Sequence, residues 1–478
     1  MTYTKIVATL GPETSNDHGV EDLIRAGVDV FRLNFSHGSH EQHKERIDLI
    51  RRVSKRIGSE VALLQDLCGP KIRTGKMHSG GVKLVEGAKV SIVTENAENV
   101  EGTEERFSCI YELLSKDVNP GEKILLDDGS MELRVDSVDK TQVFCTVIRG
   151  GLLKSSKGMN LPGSKISSPA LTDKDRYDLE FGLRERVDFV ALSFVRDAND
   201  IRQLRNIVGA NDIRIIAKIE KPEAIDHIDE IIQESDGVMV ARGDLGVEMD
   251  LAEVPVLQKQ IIHKANAADR YVITATQMLE SMIENPFPTR AEVTDVANAV
   301  IDGTDAVMLS GETAVGKYPI VTVKTMKHIA RTTERYLKGH PPKWNWVHIN
   351  TSTEVYNAIS RSVLQFSRDL DIKAICAYSP SGGTSVYLSK SRPFAPIIMF
   401  TPNIEAVRRM HLYWGVIPIL DTTIKSNEEL YKKANELVQE REFAKPGDKV
   451  LLIYGSVFGH VGKNSILEIK TVEGILKK

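Results

Sequence analysis

Apolar and polar positions follow one repeating pattern through most of this chain. A run of four to eight apolar residues is followed by a stretch in which apolar residues recur three and four apart, the signature of a buried strand followed by an amphipathic helix. Eight such strands are predicted, at 5–10, 28–35, 61–64, 189–194, 215–219, 237–241, 271–276 and 306–309. The intervening helices have legible ends. Ser39 and Gln42 form a capping box before Ile47, Ile50, Val53 and Ile57, and another helix starts at Asp173. Ile201, Leu204 and Ile207 mark the next, and Thr289 and Glu292 cap one with Val293, Val296, Ala297 and Val300 on its apolar face and Gly303 as its stop. Eight strands alternating with helices predict a (β/α)8 TIM barrel, whose chemistry gathers at the carboxyl ends of the strands.

Two segments break the pattern. Between 71 and 166 the period is two, at 83–93 and 131–138, with a turn at Asp128-Gly129 and no long helical face. This predicts an inserted small β-barrel lid domain, hung on the loop after the third strand and dividing the barrel domain into 1–70 and 167–338; a fixed decoration would give the same pattern. After a linker-like stretch from Gly339 with Pro341, Pro342, Trp344 and Trp346, alternation resumes. A helix carrying Val355, Ile359, Val363 and Phe366, strands at 374–378, 397–400, 415–420 and 450–454, and a helix through Leu430 and Leu437 predict a doubly wound α/β domain over 339–478. Its loop Ser381-Gly382-Gly383-Thr384-Ser385 joins a strand to a helix and is either a phosphate cradle or a plain turn.

Composition narrows the function. A chain of 478 residues exceeds what one core organises, and 41% hydrophobic with 27% charged residues is ordinary for a folded enzyme. The net charge of −4, without a basic stripe, speaks against nucleic acid. No apolar run reaches 18 residues and the start carries no signal-like segment, so a cytoplasmic protein with no membrane span is expected. Four scattered cysteines with no C-x-x-C pair predict reduced thiols rather than a zinc site.

The chemistry falls at the strand ends. The fifth strand delivers Lys218 and Glu220, and the sixth delivers Arg242, Gly243 and Asp244. Two carboxylates suit a hard divalent cation and a lysine suits a phosphoryl group, although Lys218 and Glu220 could equally be a plain ion pair. The second strand adds Arg32, Asn34, Ser36 and His37; the third adds Asp66, then Lys71 and Arg73; the seventh adds Thr276; the eighth adds Ser310 and Glu312. Arginines bind phosphate oxygens in a fork.

Six segments, in order and over the whole length, resemble pyruvate kinase. They are Phe31-Arg32-Leu33-Asn34-Phe35-Ser36-His37-Gly38, Gly69-Pro70-Lys71-Ile72-Arg73-Thr74-Gly75, Lys157-Gly158-Met159-Asn160-Leu161-Pro162-Gly163, Met239-Val240-Ala241-Arg242-Gly243-Asp244-Leu245-Gly246, Ala275-Thr276-Gln277-Met278-Leu279-Glu280-Ser281-Met282 and Met308-Leu309-Ser310-Gly311-Glu312-Thr313. The resemblance implies phosphoryl transfer from phosphoenolpyruvate to ADP, giving pyruvate and ATP. It implies Glu220 and Asp244 as ligands of Mg2+ or Mn2+, and Lys218 as the stabiliser of the phosphoryl group and the enolate. It implies Arg32 and Arg73 on the phosphoryl group, and Gly243, Asp244 and Thr276 on the carboxylate. Thr276, Ser310 and Glu312 would lie near a proton path that ends in water. Asn34, Ser36, His37, Arg73 and Lys157 would face the nucleotide. A homotetramer is also implied. Another phosphoenolpyruvate-handling barrel would lack the nucleotide lid, and a sensor without activity would not need the intact Lys218, Glu220, Asp244 and Thr276 set.

Two departures matter. Many relatives carry Gly-Pro-Glu-Ile-Arg and need K+, in a site resembling one made from Asn34, Ser36, Asp66 and the Leu67 carbonyl. Here Lys71 stands in the glutamate's place, so its ammonium is expected to replace K+, with Asp66 as nearest counter-charge, and K+ is not expected to be required. Leu67 and Cys68 also replace a Thr-Lys pair often found there. At 455–463 the chain lacks the Trp and Arg that would meet a second phosphate. An effector with one phosphate at Ser381–Ser385, AMP or a sugar monophosphate, is therefore expected rather than a bisphosphate.

Overall fold

Each of the eight apolar runs forms a strand, and parallel pairing carries them in sequence order round a closed barrel, with Lys5–Thr9 meeting Ala306–Leu309 at the seam. The computed structural model describes residues 2–340, 354–455 and 464–475. Period two decides which side chains face inward. Val30, Ala62, Leu64, Ile216, Met239 and Ile273 fill the barrel interior, while Phe31, Leu33, Leu63, Ile215 and Ala217 pack outward against the helices. By the same parity Arg32, Asp66, Lys218 and Glu220 belong to the inner face, at its carboxyl end.

Several strands end earlier than the apolar pattern suggests. The fourth is Phe189–Leu192 and the seventh Tyr271–Ala275. The residues that follow leave the strand, since Phe194 and Thr276 take φ of 54° and 69°. Both are non-glycine residues in the left-handed region, a conformation costing about 1–3 kcal/mol that clusters at functional sites. The capping boxes at Ser39 and Thr289 form as expected, and Gly303 closes its helix at φ 96°. One face is corrected: on Arg290–Asp302 the buried residues are Val296, Ala299 and Val300, whereas Val293 is 37% exposed. That helix packs on the barrel through a narrower stripe than the four apolar positions implied.

The insertion is built from two sheets that share one core. A six-stranded sheet runs in the order Met159–Asn160, Lys123–Leu126, Met131–Val138, Gln142–Arg149, Lys89–Val93 and Arg106–Ser108, beside a ribbon of Val82–Leu84 and Gly151–Leu153. The period-two run at 83–93 is thus two strands, because Gly87, at φ 80°, turns the chain between them.

The C-terminal domain is a five-stranded sheet. Val416–Leu420, Ile397–Thr401, Ala374–Tyr378 and Lys449–Gly455 are parallel, and Asn464–Thr471 adds an antiparallel edge that the sequence pattern did not reveal. Val355, expected on the inner face of Glu354–Asp369, is 63% exposed, and Val363 is the buried anchor. The linker-like residues from 341 to 353 lie outside the described residues, while Gly339 ends the helix Pro319–Gly339. All four cysteines are free, and only Cys68 is not fully buried.

This domain packs on the amino end of the barrel, opposite the strand ends that carry chemistry. Asp305, just before the eighth strand, binds Arg392 at 2.8 Å and also Lys390, whose Nζ reaches Asn266 Oδ1 at 2.7 Å. Burial pushes the Lys390 ammonium down to about 8 against the pull of Asp305, with Arg392 adding to the fall. Asp305→Asn would leave two cations buried and under-compensated. We expect it to destabilise the protein by about 3–5 kcal/mol, read as a fall in the denaturation midpoint; an unchanged midpoint would reject the interface as a stabilising element.

Candidate active site

The centre of the site is a charge lattice assembled from four strands. Lys218 Nζ lies 2.9 Å from Glu220 Oε1 and 3.2 Å from Asp66 Oδ1, and donates to Ser193 Oγ at 2.7 Å. Arg32 Nε donates to the other oxygen of Asp66 at 2.6 Å, with Thr9 Oγ1 3.0 Å from its Nη1. Ser193 passes the chain on to the Leu67 carbonyl at 2.7 Å. Burial works to raise the Asp66 carboxyl, yet the Lys218 and Arg32 charges outweigh it and hold the group below its ordinary range. For Lys218 burial works to neutralise the amine, but Asp66 and Glu220 overcome it and the ammonium is held above its usual range.

Glu220 behaves oppositely. Burial and then the Asp244 charge push its carboxyl up, with Lys218 opposing. Its Oε2 accepts from the Phe194 N–H at 2.8 Å, which explains why Phe194 adopts its strained backbone, while buried Oε1 makes no well-angled hydrogen bond despite the nearby ammonium. A buried carboxylate with an unsatisfied oxygen, close to a second carboxylate, fits a divalent cation. Among the described residues no group of three or more His, Cys, Asp or Glu side chains is placed to hold a metal. The two carboxylates would therefore leave positions open to waters and substrate oxygens. Two cations, Arg32 and Lys218, face three carboxylates, Asp66, Glu220 and Asp244; a divalent ion would turn one net negative charge into one net positive charge, the sign an anionic substrate needs.

Asp244 and Gly243 open the short helix Arg242–Glu248. Gly243 N–H donates to Thr276 Oγ1 at 2.7 Å, so Thr276, turned out of its strand, buttresses that helix. Arg242 is bound by the Thr276 carbonyl at 2.8 Å and Asp295 at 2.5 Å, and so anchors the turn rather than facing the cleft. Glu312 is fully buried and accepts from the N–H groups of Ser310, at 2.7 Å, and Leu279, at 3.2 Å, which places it under Ser310 as a brace.

The nucleotide-side residues are spread over barrel and lid. Asn34 Oδ1 accepts from the Ser36 N–H at 3.1 Å. Exposed His37 has its imidazole held below the ordinary value by partial burial and by the Arg73, Lys71 and Arg32 charges. His43, neutral because burial lowers it to about 4, donates from Nε2 to the His37 carbonyl, 3.0 Å away. Arg73 donates to the Ser156 carbonyl at 2.8 Å, and Lys157 pairs with Asp127 at 2.8 Å, both within the lid.

The Lys71 expectation is corrected in one respect. Lys71 forms no ion pair with Asp66: Arg32 holds one carboxylate oxygen at 2.6 Å, Lys218 stands 3.2 Å from the other, which is buried without a hydrogen bond, and the Leu67 carbonyl accepts from Ser193. Lys71 makes no ion pair among the described residues and lines the cleft between lid and barrel with Phe194, Asp244 and Glu248. Ser193, Phe194, Lys221 and Glu248 were missed by sequence reading; the first two lie just past a strand whose apolar run hid its end.

The C-terminal loop joins the strand Ala374–Tyr378 to a helix. Gly382, at φ 78°, precedes the helix Gly383–Lys390, Ser385 Oγ donates to the Gly382 carbonyl, and Ser381 and Gly383 are exposed. Residues 456–463 lie outside the described residues.

Comparison with known proteins places this geometry in context. Residues 1–323 match the family described as pyruvate kinase, barrel domain, and residues 357–470 match pyruvate kinase, alpha/beta domain. A pyruvate kinase from Staphylococcus saprophyticus is 47% identical, covering 100% of this chain and 82% of the relative; one from Geobacillus stearothermophilus is 45% identical, covering 99% and 81%. The crystal structure of a pyruvate kinase from Cryptosporidium parvum superimposes with a TM-score of 0.90 at 37% identity, covering 98% of this chain and 96% of the other.

Proposed function

The chain belongs to the pyruvate kinase family, and from that premise we propose how its residues perform phosphoryl transfer from phosphoenolpyruvate to ADP. The observation that carries the reading is the Lys218 ammonium held between Asp66 and Glu220 at the carboxyl ends of the strands. Arg32 and Arg73 orient the phosphoryl group, and Gly243, Asp244 and Thr276 orient the substrate carboxylate. As the bond from phosphorus to the enol oxygen breaks and one to the terminal oxygen of ADP forms, negative charge grows on the enolate oxygen, where Lys218 stands. A preorganised charge in a dry site is the most effective stabiliser of such charge. The enolate carbon then takes a proton from water on the Thr276 and Ser310 side. Glu220 and Asp244 would hold Mg2+ or Mn2+, which would supply further neutralisation of the phosphoryl oxygens.

The lid brings Arg73, Lys157 and the nucleotide to this centre and keeps out water that competes with ADP. Lys71, which lines the cleft between lid and barrel and whose charge is felt at His37, supplies the positive charge that a monovalent cation supplies in K+-dependent relatives. Pyruvate formation is therefore expected at full rate in buffers free of K+ and NH4+. Lys71→Glu should lose about a hundredfold in those buffers, a loss of the size seen when one preorganised stabilising group is removed, and KCl at constant ionic strength should restore most of it. Activity of the unaltered protein only with KCl would reject the role of Lys71, while no activity in either buffer would count against the reaction itself.

The exposed Ser381 and Gly383 beside the capping Gly382 support a one-phosphate effector there, AMP or a sugar monophosphate. Leu251, 73% exposed next to the groove lined by Val254, Arg290 and Thr294, supports assembly of the barrels into a homotetramer. No described helix is long and apolar enough to cross a membrane, and the free thiols fit the cytoplasm.

A further inference from the structure

The helix Arg242–Glu248 has a second end. Its first residues face the substrate, and its last, Glu248, is only 6% exposed and accepts two hydrogen bonds on one oxygen: from Asn160 Nδ2 at 2.9 Å and Lys221 Nζ at 2.8 Å. The three groups come from different parts of the protein. Asn160 lies in the lid strand Met159–Asn160, three residues from Lys157; Lys221 directly follows Glu220. The lid turn at Asp127–Gly129 approaches the same helix end, since a side chain on Gly129 would come within 3.8 Å of Val247. Lys157 is tied to that turn by its ion pair with Asp127. At about 1.5 Å per residue, only about 8 Å of rigid helix separates Glu248 from Gly243.

We infer that Glu248 is a positioning residue that links the lid, through Asn160, to the helix presenting Gly243 and Asp244 and, through Lys221, to the strand end carrying Glu220. A movement of the lid that shifts Lys157 must shift Asn160 with it, and the shift is delivered to the far end of a helix too short to absorb it by bending. Nucleotide bound on the lid side and enolate bound on the barrel side thus favour the same placement of one helix, and each tightens the other. Hydrogen bonds to a charged acceptor are strong enough to matter, roughly ten- to a hundredfold in an equilibrium constant. The inference rests on the substrate reading above.

Asn160→Ala tests it, because the buried Lys221–Glu248 pair survives and the barrel keeps its charges matched. The probe is oxalate, an unreactive dicarboxylate of enolate shape, titrated calorimetrically into the full chain with Mg2+, with and without ADP. ADP should tighten oxalate binding by about fivefold or more in the unaltered protein. In Asn160→Ala that ratio should fall to near one while oxalate affinity without ADP stays nearly unchanged, and kcat should drop more than KM for phosphoenolpyruvate changes. The pair Asn160→Asp with Glu248→Gln, which reverses donor and acceptor at constant net charge, should restore most of the coupling. An undiminished ratio in Asn160→Ala, an equal loss with and without ADP, or no coupling in an unaltered protein that forms pyruvate would each overturn the link. Failure of the unaltered protein to form pyruvate at all would strike the substrate reading instead.

Discussion

Lys218→Met is expected to lower kcat for pyruvate formation by about a thousandfold, at the upper end of what removal of one preorganised electrostatic group costs. The side chain is the hub of the site, touching Glu220, Asp66 and Ser193 within 3.2 Å. Its ammonium is held charged by Asp66 and Glu220 in spite of burial, so it cannot serve as an acid or base at neutral pH; it acts as a fixed positive charge. Methionine keeps the length and apolar stem but removes that charge where the enolate develops. KM for phosphoenolpyruvate should change far less than kcat, because on this proposal Arg32 would still hold the phosphoryl end. A kcat within tenfold of the unaltered protein would sink the assignment.

The second large effect is on the metal. Glu220→Gln removes one of the two carboxylates that fit a divalent ion, so the Mg2+ or Mn2+ concentration for half-maximal activity should rise by more than a hundredfold, beyond the roughly 10- to 100-fold typical of losing an outer hydrogen-bond partner of a ligand. Stability should move the other way. Because burial and Asp244 raise the Glu220 carboxyl above its unfolded value, the folded state binds the proton more tightly, and this group costs stability increasingly as pH rises past the ordinary glutamate range. With metal chelated at neutral pH, Glu220→Gln should therefore melt at a higher temperature than the unaltered protein. An unchanged metal requirement would remove Glu220 from the metal site, and a lower melting temperature would show that the Phe194 N–H bond to Glu220 outweighs the buried charge.

Much of this was legible in sequence because strand alternation and helical spacing are local. Eight apolar runs sufficed for the barrel, and period two was enough to put Arg32, Asp66, Lys218 and Glu220 on the same inner face at the same end. The ends of those runs were less legible. At 189–194 and 271–276 apolar or small residues continue past the strand, so nothing in the pattern showed that the chain turns left-handed at Phe194 and Thr276, where it closes on Glu220 and Gly243. The edge strand Asn464–Thr471 escaped notice because Glu468 and Lys470 break up its apolar run; in the structure both are half-buried while Ile469 is exposed.

Residue identity alone determined the family, the barrel, and the charges that a phosphorylated, carboxylate-bearing substrate needs. Tertiary structure alone decided how those charges pair. Nothing local in the chain could tell that Asp66 would be claimed by Arg32 and Lys218 and withheld from Lys71, or that Glu248 would join residues 88 and 27 positions away. Ion pairs and buried hydrogen bonds depend on which side chains the barrel brings within 3 Å, and that distance is set by the packing of the whole molecule.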